Sequence, residues 1–233
     1  MIRVGLTGAG DSLEEAAEEC RRLGMQPVLL PCIAVTAAAT DVIDEFRNVA
    51  RAADWIVLTS ARAVTIVWPD ASLPMVPVAA VGKATARAAA AAGGRIEITG
   101  DQGGKDLMNR LGPRIDRALV AYPHAALTAF DLVGSMTKAG ARVKHEAVYA
   151  IDPIPPAGDP VDAVVFGSPS AVKGWCAART LDGLVVAVTG LTTAASVEAA
   201  GYPTLTIPTS PGYLEALEAV ATLEIVANQK EPL

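Results

Sequence analysis

DWIVLTSARAVTIVW (54–68) returns 108 positions later as DAVVFGSPSAVKGWC (162–176). The register holds without a gap, and between Asp54 and Gly93 the two copies agree at 14 of 40 positions. Five agreements are Ala–Ala, which an Ala-rich chain produces readily. The other nine pair Asp54 with Asp162, Val57 with Val165, Ser60 with Ser168, Val64 with Val172, Leu73 with Leu181, Val78 with Val186, Gly82 with Gly190, Thr85 with Thr193 and Gly93 with Gly201. A duplication of this length decides the architecture before local propensity does. It predicts two similar domains whose matched Ser, Gly and Thr residues lie in loops that open helices.

Working outward, short Val/Ile/Leu runs alternate with Ala-rich helical stretches. IRVGL (2–6), PVLLP (27–31), WIVLT (55–59), VAAV (78–81), RIEIT (95–99), ALVAY (118–122), AVVFG (163–167), LVVAV (184–188) and TLTIP (204–208) read as strands. Helices are expected near 12–23, over 61–68 and 84–92, and after the later strands. Continuous apolar strands alternating with helices indicate an α/β fold with parallel sheets covered on both faces. Gly93 and Gly201 follow Ala runs and read as residues just past a helix end.

The repeat also predicts the assembly. In the first copy, ALVAY and the helix TAFDLVGSMTKA (128–139) precede ARVKHEAVYAI (141–151). The second copy stops after its third helix, and the pair it lacks stands at the N-terminus. RVGL, its helix and LGMQPVLLP align with LVAY, its helix and AGARVKHEA, Gly24 falling on Gly140 at offset 116. One domain is therefore expected to be continuous, 37–149, and the other discontinuous, 1–35 plus 153–233. The two crossings, near PCIAVT (31–36) and AVYAIDP (147–153), run in opposite directions and are expected to pair as a short antiparallel ladder.

Composition fits this layout. A chain of 233 residues accommodates two domains of roughly 100–130 residues. It is 52% hydrophobic with only 4% aromatics, so both cores are aliphatic. The net charge of −6, without a Lys/Arg cluster, argues against nucleic acid, which requires a basic face. An anionic small molecule is still admissible, because helix N-termini bind anions on acidic proteins. MIRVGLTGAGDSLEEA (1–16) reads as neither a leader nor a membrane span. Cys20, Cys32 and Cys176 are odd in number and widely spaced, as in cytosolic free thiols. A cytoplasmic monomer without membrane contact is expected.

Ligands of open α/β sheets bind beyond the carboxyl ends of the strands. Those ends are Thr7-Gly8-Ala9-Gly10, Thr59-Ser60-Ala61-Arg62, Val81-Gly82-Lys83-Ala84-Thr85, Gly167-Ser168-Pro169-Ser170 and Gly190-Leu191-Thr192-Thr193. Each offers small or hydroxyl-bearing residues at a predicted helix start, where backbone N–H groups attract anions. Read as local structure alone, Ser60, Thr85, Ser168 and Thr193 are N-caps. No P-loop and no GxSxG is present, and Gly8-Ala9-Gly10 lacks the third glycine of a dinucleotide fingerprint. His124 and His145 have no metal-ligand spacing, and no metal site is expected. His124 follows a strand end and is a candidate cleft residue, whereas His145 reads as structural. Trp55, Trp68 and Trp175 read as packing residues.

LTSARAV (58–64), VAAVGKATA (78–86), VYAIDPIPP (148–156), VVFGSPSAV (164–172) and VAVTGLTTA (186–194) together resemble the uroporphyrinogen-III synthase family. The five segments occur in family order across nearly the whole chain. The resemblance implies two flavodoxin-like domains, one discontinuous, joined by a two-stranded ladder. It implies an enzyme that takes an anionic linear tetrapyrrole, hydroxymethylbilane, and closes it to uroporphyrinogen III. The terminal hydroxyl is lost and the last pyrrole ring is inverted, with no cofactor or metal, in a cleft between the domains. By the same resemblance Ser60, Arg62, Gly82, Thr85, Ser168, Gly190, Thr192 and Thr193 hold substrate, and Tyr149 assists departure of the hydroxyl. Two strand ends depart from the family pattern: Thr7-Gly8 stands where an Arg-Pro pair is common, and Pro123-His124 where an Arg-Gly pair is common. The same layout also suits a non-catalytic two-domain small-molecule-binding or regulatory protein.

Overall fold

A computed structural model describes residues 1–9, 13–70, 72–101, 103–128, 130–204 and 212–228, the last five of these by backbone only. The chain separates into two compact units, Met1–Val35 with Asp152–Leu233, and Thr36–Ile151. In chain order the elements are β1 (Arg3–Leu6), α1 (Glu14–Arg22), β2 (Gln26–Leu29), β3 (Ile33–Ala37), α2 (Thr40–Arg51), β4 (Trp55–Leu58), α3 (Ala61–Val67), β5 (Pro77–Val81), α4 (Gly82–Ala91) and β6 (Arg95–Gly100). There follow α5 (Gly104–Leu111), a 3₁₀ turn over Gly112–Arg114, β7 (Leu119–Ala125), α6 (Leu132–Lys138), β8 (Arg142–Pro153), β9 (Ala163–Phe166), α7 (Pro169–Cys176), β10 (Val185–Val188), α8 (Leu191–Ala199) and α9 (Tyr213–Asn228).

The discontinuous unit holds a sheet of order β10-β9-β1-β2, parallel throughout. Val4 and Leu6 of β1 point to one face, with Val165, and meet Leu13, Ala17 and Cys20 from the α1 side and Leu217 and Val220 of α9. On the other face Phe166 meets Trp175 of α7 edge to face, ring centroids 5.9 Å apart. Successive residues of a buried parallel strand thus feed two cores, which is why these strands are apolar without alternation.

The continuous unit holds β8-β7-β4-β5-β6, also parallel, with β3 outside β8. Val57, Val120 and Tyr122 meet Leu107 and Leu111 of α5 and Leu132 and Met136 of α6. Phe46 of α2 and Trp68, just past α3, lie edge to face at 6.3 Å. Beside β8, Ile154 N donates to Cys32 O and Ala38 N to Val148 O, both at 2.9 Å. As one residue number rises the other falls, so β3 and β8 run antiparallel.

The duplication is visible element by element. A shift of 108 carries β4 onto β9, residue for residue. Ser60 and Ser168 then cap α3 and α7, accepting from Arg62 N at 3.1 Å and Ala171 N at 3.3 Å. The order β5-β4-β7-β8 matches β10-β9-β1-β2. Gly24 and Gly140, matched at offset 116, both take a left-handed φ, 78° and 89°, at the exits of α1 and α6.

Two expectations are amended. Helix α2 is absent from the sequence reading, although Ile43, Phe46 and Ala50 form its buried stripe. Strand β7 extends three residues beyond ALVAY, to Ala125, so His124 lies within the strand and not after it. The cause is β8, which continues to Pro153 and pairs Pro123 with Glu146 and His124 with Ala147. Pairing of β7 with β4 ends at Ala121, so Pro123 faces an open side where its missing N–H costs little. Of the predicted strand TLTIP, residues 205–208 lie outside the described residues.

Gly174 of α7 sits on the carbonyls of Cys32 and Ile154, and a Cβ there would overlap both oxygens. Gly174→Ala gains about 1 kcal/mol of helix propensity but overpacks two backbone groups, which costs about 1–3 kcal/mol or more. A lower urea midpoint and thermal midpoint are expected. A variant as stable as the parent would show that α7 can shift off the strands.

Candidate functional site

In the continuous unit the strand order reverses between β4 and β7. From β4 the chain proceeds outward through β5 and β6, and from β7 the other way to β8. A crevice is expected where two such carboxyl ends diverge. A cavity of about 310 Å³ opens there, lined by Thr59 and Ser60 after β4, Tyr122 and Ala125 of β7, Tyr149 of β8, and apolar groups that include Leu127 and Phe130. Ser60 accepts its capping bond through oxygen, which leaves its O–H to donate. Tyr122 is 2% exposed, and its hydroxyl lies 3.4 Å from Thr59 Oγ1. Burial pushes its phenol up, against a smaller lowering by the Thr59 hydrogen bond, and proximity to Tyr149 adds to the rise. Tyr122 is therefore a neutral hydroxyl at neutral pH. Tyr149 is 5% exposed, sits at the bulge where Ala125 pairs with it, and accepts from Ala126 N through its carbonyl at 2.8 Å.

Of the residues singled out from sequence in this unit, Ser60 and Tyr149 meet in the cavity. Arg62 stands in the first turn of α3, half-buried and outside the cavity lining, with no ion-pair partner among the described residues. Gly82 has φ 77° and opens α4 directly from β5, a left-handed turn that glycine adopts at little cost. Thr85 is not a cap: Val81 is the N-cap, and Thr85 lies one turn inside α4, 5% exposed.

In the discontinuous unit Ser168 caps α7 ahead of Pro169, and Gly190 occupies the N-cap of α8. Gly190 has φ 173°, an extended conformation that makes no demand for glycine. Thr192 is exposed, and its carbonyl accepts from Ser196 Oγ at 3.2 Å. Thr193, like Thr85, lies inside its helix, 2% exposed. Among the described residues neither Thr85 nor Thr193 has a hydrogen-bond partner for its hydroxyl. Other strand-end hydroxyls serve the fold: Thr7 Oγ1 donates to Val165 O at 2.8 Å and Thr189 Oγ1 to Gly167 O at 3.2 Å.

Sequence reasoning named Thr59 as part of a strand end but missed Tyr122. Tyr122 closes an apolar run that reads as a strand, and it joins Thr59 only once β4 and β7 are known to be neighbours. His124 does not line the cavity; its ring packs against Tyr122 at 4.9 Å. The three thiols are free. Burial pushes Cys20 up to about 11 and Cys32 up to about 12, which leaves little thiolate at neutral pH. Among the described residues no group of three His, Cys, Asp or Glu is placed to hold a metal ion, and no helix is long and apolar enough to cross a membrane.

Comparison with known proteins follows this geometry. The family described as Uroporphyrinogen-III synthase HemD matches residues 14–217. The chloroplastic uroporphyrinogen-III synthase of Oryza sativa subsp. japonica is 30% identical over 197 residues, 71% of this chain. The match spans 64% of that relative's length. In shape the chain is similar to uroporphyrinogen-III synthetase from Helicobacter pylori, with TM-score 0.65, 14% identity, and coverage of 97% of this chain and 100% of the other. It is also similar to a mutant uroporphyrinogen III synthase from the extremely thermophilic bacterium Thermus thermophilus, with TM-score 0.59, 18% identity, and coverage of 99% and 100%. At these identities the two solved structures show a shared fold, an α/β fold with two parallel sheets. With the family match running from α1 into α9, the chain belongs to the uroporphyrinogen-III synthase family.

Proposed function

We propose that this chain converts hydroxymethylbilane to uroporphyrinogen III, with loss of water and inversion of the last pyrrole ring. The observation that carries the reading is the pair of buried phenols, Tyr122 and Tyr149, facing one cavity with Ser60 at the switch point of a sheet. At about 310 Å³ the cavity is at the low end of small-ligand pockets, roughly 300–1,000 Å³, and suits the reacting end of the bilane better than all four rings.

In the reaction the terminal carbon–oxygen bond breaks as the Tyr149 O–H donates to the leaving hydroxyl. Water departs, and the electron-rich pyrrole stabilises the cation left behind. That carbon bonds to the substituted position of the last ring to form a spirocycle; the bond from that position to its original bridging carbon then breaks, the bridging carbon rebonds at the ring's free position, and the proton displaced there returns to the Tyr149 oxygen. No electron is gained or lost, so the chemistry requires no redox cofactor. Tyr122, kept protonated by burial, is a second neutral donor in the same cavity. Holding a flexible chain in one reacting geometry can lower a barrier by up to about 7–11 kcal/mol, so positioning is the larger part of the task. Arg62, Gly82, Thr85, Ser168, Gly190, Thr192 and Thr193 act as contacts for substrate carboxylates through hydroxyls, backbone N–H groups and one guanidinium. The two compact units serve as its domains, and the order β2-β1-β9-β10, first and second strands followed by third and fourth, supports a flavodoxin-like reading. The protein works as a cytoplasmic monomer without nucleic acid, and its net charge of −6 supports the last of these.

A coupled assay from porphobilinogen with hydroxymethylbilane synthase, followed by separation of the isomers, tests the reaction. Uroporphyrinogen III is the expected product; isomer I alone, the product of unassisted closure, would overturn it. Tyr149→Phe keeps the ring and removes the hydroxyl. It is expected to lower kcat by about ten- to a hundredfold, at or below the low end of general acid catalysis, and to leave the isomer ratio unchanged. A wild-type kcat would reduce Tyr149 to packing.

Thr85→Val and Thr193→Val separate binding from folding. Each removes a hydroxyl with no protein partner from a residue that is otherwise buried, so the thermal midpoint should hold. If the hydroxyl grips a carboxylate, a bond of about 1.5–3 kcal/mol is lost and KM rises roughly tenfold or more. Ser60→Ala and Ser168→Ala remove true caps and should cost about 0.5–2 kcal/mol of stability. Unchanged KM in both Val variants would exclude the two threonines from binding.

A further inference from the structure

We propose that His124 is a positioning residue whose ring, fixed at both nitrogens, clamps the phenol of Tyr122 in the cavity; the inference rests on the function proposed above. Tyr122 and His124 stand two apart on β7 and so project from the same face of the sheet. Their rings lie 4.9 Å apart, tilted by 35°. The Tyr122 hydroxyl is 3.4 Å from Thr59 Oγ1, at the long limit of a hydrogen bond, so Thr59 holds it only weakly. The orientation of the ring must therefore come from what it packs against.

His124 is itself held in one tautomer. Its Nδ1 lies 2.7 Å from the carbonyl oxygen of Ala125, and a carbonyl only accepts, so Nδ1 carries the proton. In the neutral ring Nε2 is then a lone pair, which accepts from His145 Nδ1–H at 3.0 Å. The register of β8 sets His145 directly opposite Tyr122, from where its ring reaches diagonally to His124, centroids 5.3 Å apart. Tyr122, His124 and His145 thus form a row of three rings across two strands. His124 cannot turn without losing a bond on one side or the other. With both nitrogens occupied it has none free to grip a substrate carboxylate, so it does not take over the role of the Arg-Gly pair common at this position in the family.

The test reads Tyr122 in the full chain with ring-¹³C tyrosine. Four tyrosine signals are present, and Tyr122→Phe identifies one of them. His124→Ala is expected to shift the Tyr122 signal and let its phenol ionise at lower pH. In the coupled assay kcat should fall about tenfold with KM within twofold, as a small misplacement in a reacting site produces. His124→Phe keeps a ring beside Tyr122 but loses both hydrogen bonds, so the signal should stay shifted and kcat lowered; a wild-type signal and kcat in it would show that packing alone holds the phenol and would overturn the clamp. An unmoved Tyr122 signal in folded His124→Ala would overturn the clamp. Should His124→Ala fail to fold, His145→Ala takes its place. It removes one of the two bonds, and an unmoved signal there overturns the clamp equally. A shifted signal in a chain whose wild type makes no isomer III would support the clamp and overturn the reaction instead.

Discussion

The parallel pairing of β4 with β7, Trp55 opposite Val120 and Ile56 opposite Ala121, is the contact on which the cavity depends. The backbone leaves the two strands in opposite directions, so no chain fills the space beyond their ends. Thr59 and Ser60 finish one strand, and Tyr122 stands near the end of the other. A slip of one residue in this ladder would turn Tyr122 to the opposite face and present Ala121 in its place. The buried apolar rows that fix the register, Val57 with Val120 and Leu107, therefore also fix which hydroxyls face the cavity.

The duplication made most of the architecture legible. Ser60 and Ser168 fall at equivalent strand-to-helix turns because the same four-residue strand precedes each. Helix α2 escaped because nothing 108 residues later repeats it and its start lies in a run of alanines. Thr85 and Thr193 read as caps because Ser and Thr usually cap. In fact Val81 and Gly190 hold those positions, and the threonines fall inside the helices. The strand end of β7 was misplaced because Pro123 reads as a terminator, and only the long partner β8 shows why it is tolerated. The meeting of Tyr122 with Thr59 depends on which strands are neighbours, a long-range fact that no local pattern encodes.

The donors gathered at these strand ends are mostly uncharged. Thr59, Ser60, Tyr122 and Tyr149 are hydroxyls, and the helix that Ser60 caps contributes N–H dipoles. Unlike a charged group, a hydroxyl or N–H must be aimed, because it works only over a short range.

The discontinuous unit imposes an order on folding during synthesis. Strand β1 pairs with β2, which follows at once, but also with β9, which begins at Ala163. At about 5–20 residues per second the ribosome needs roughly ten to thirty seconds to supply that partner. Meanwhile the whole of Thr36–Ile151 emerges and can close its own sheet. Strand β1 thus leaves the tunnel long before its partner β9. For that interval the side of β1 that will pair with β9 is an open strand edge, the kind of edge that invites pairing with another chain.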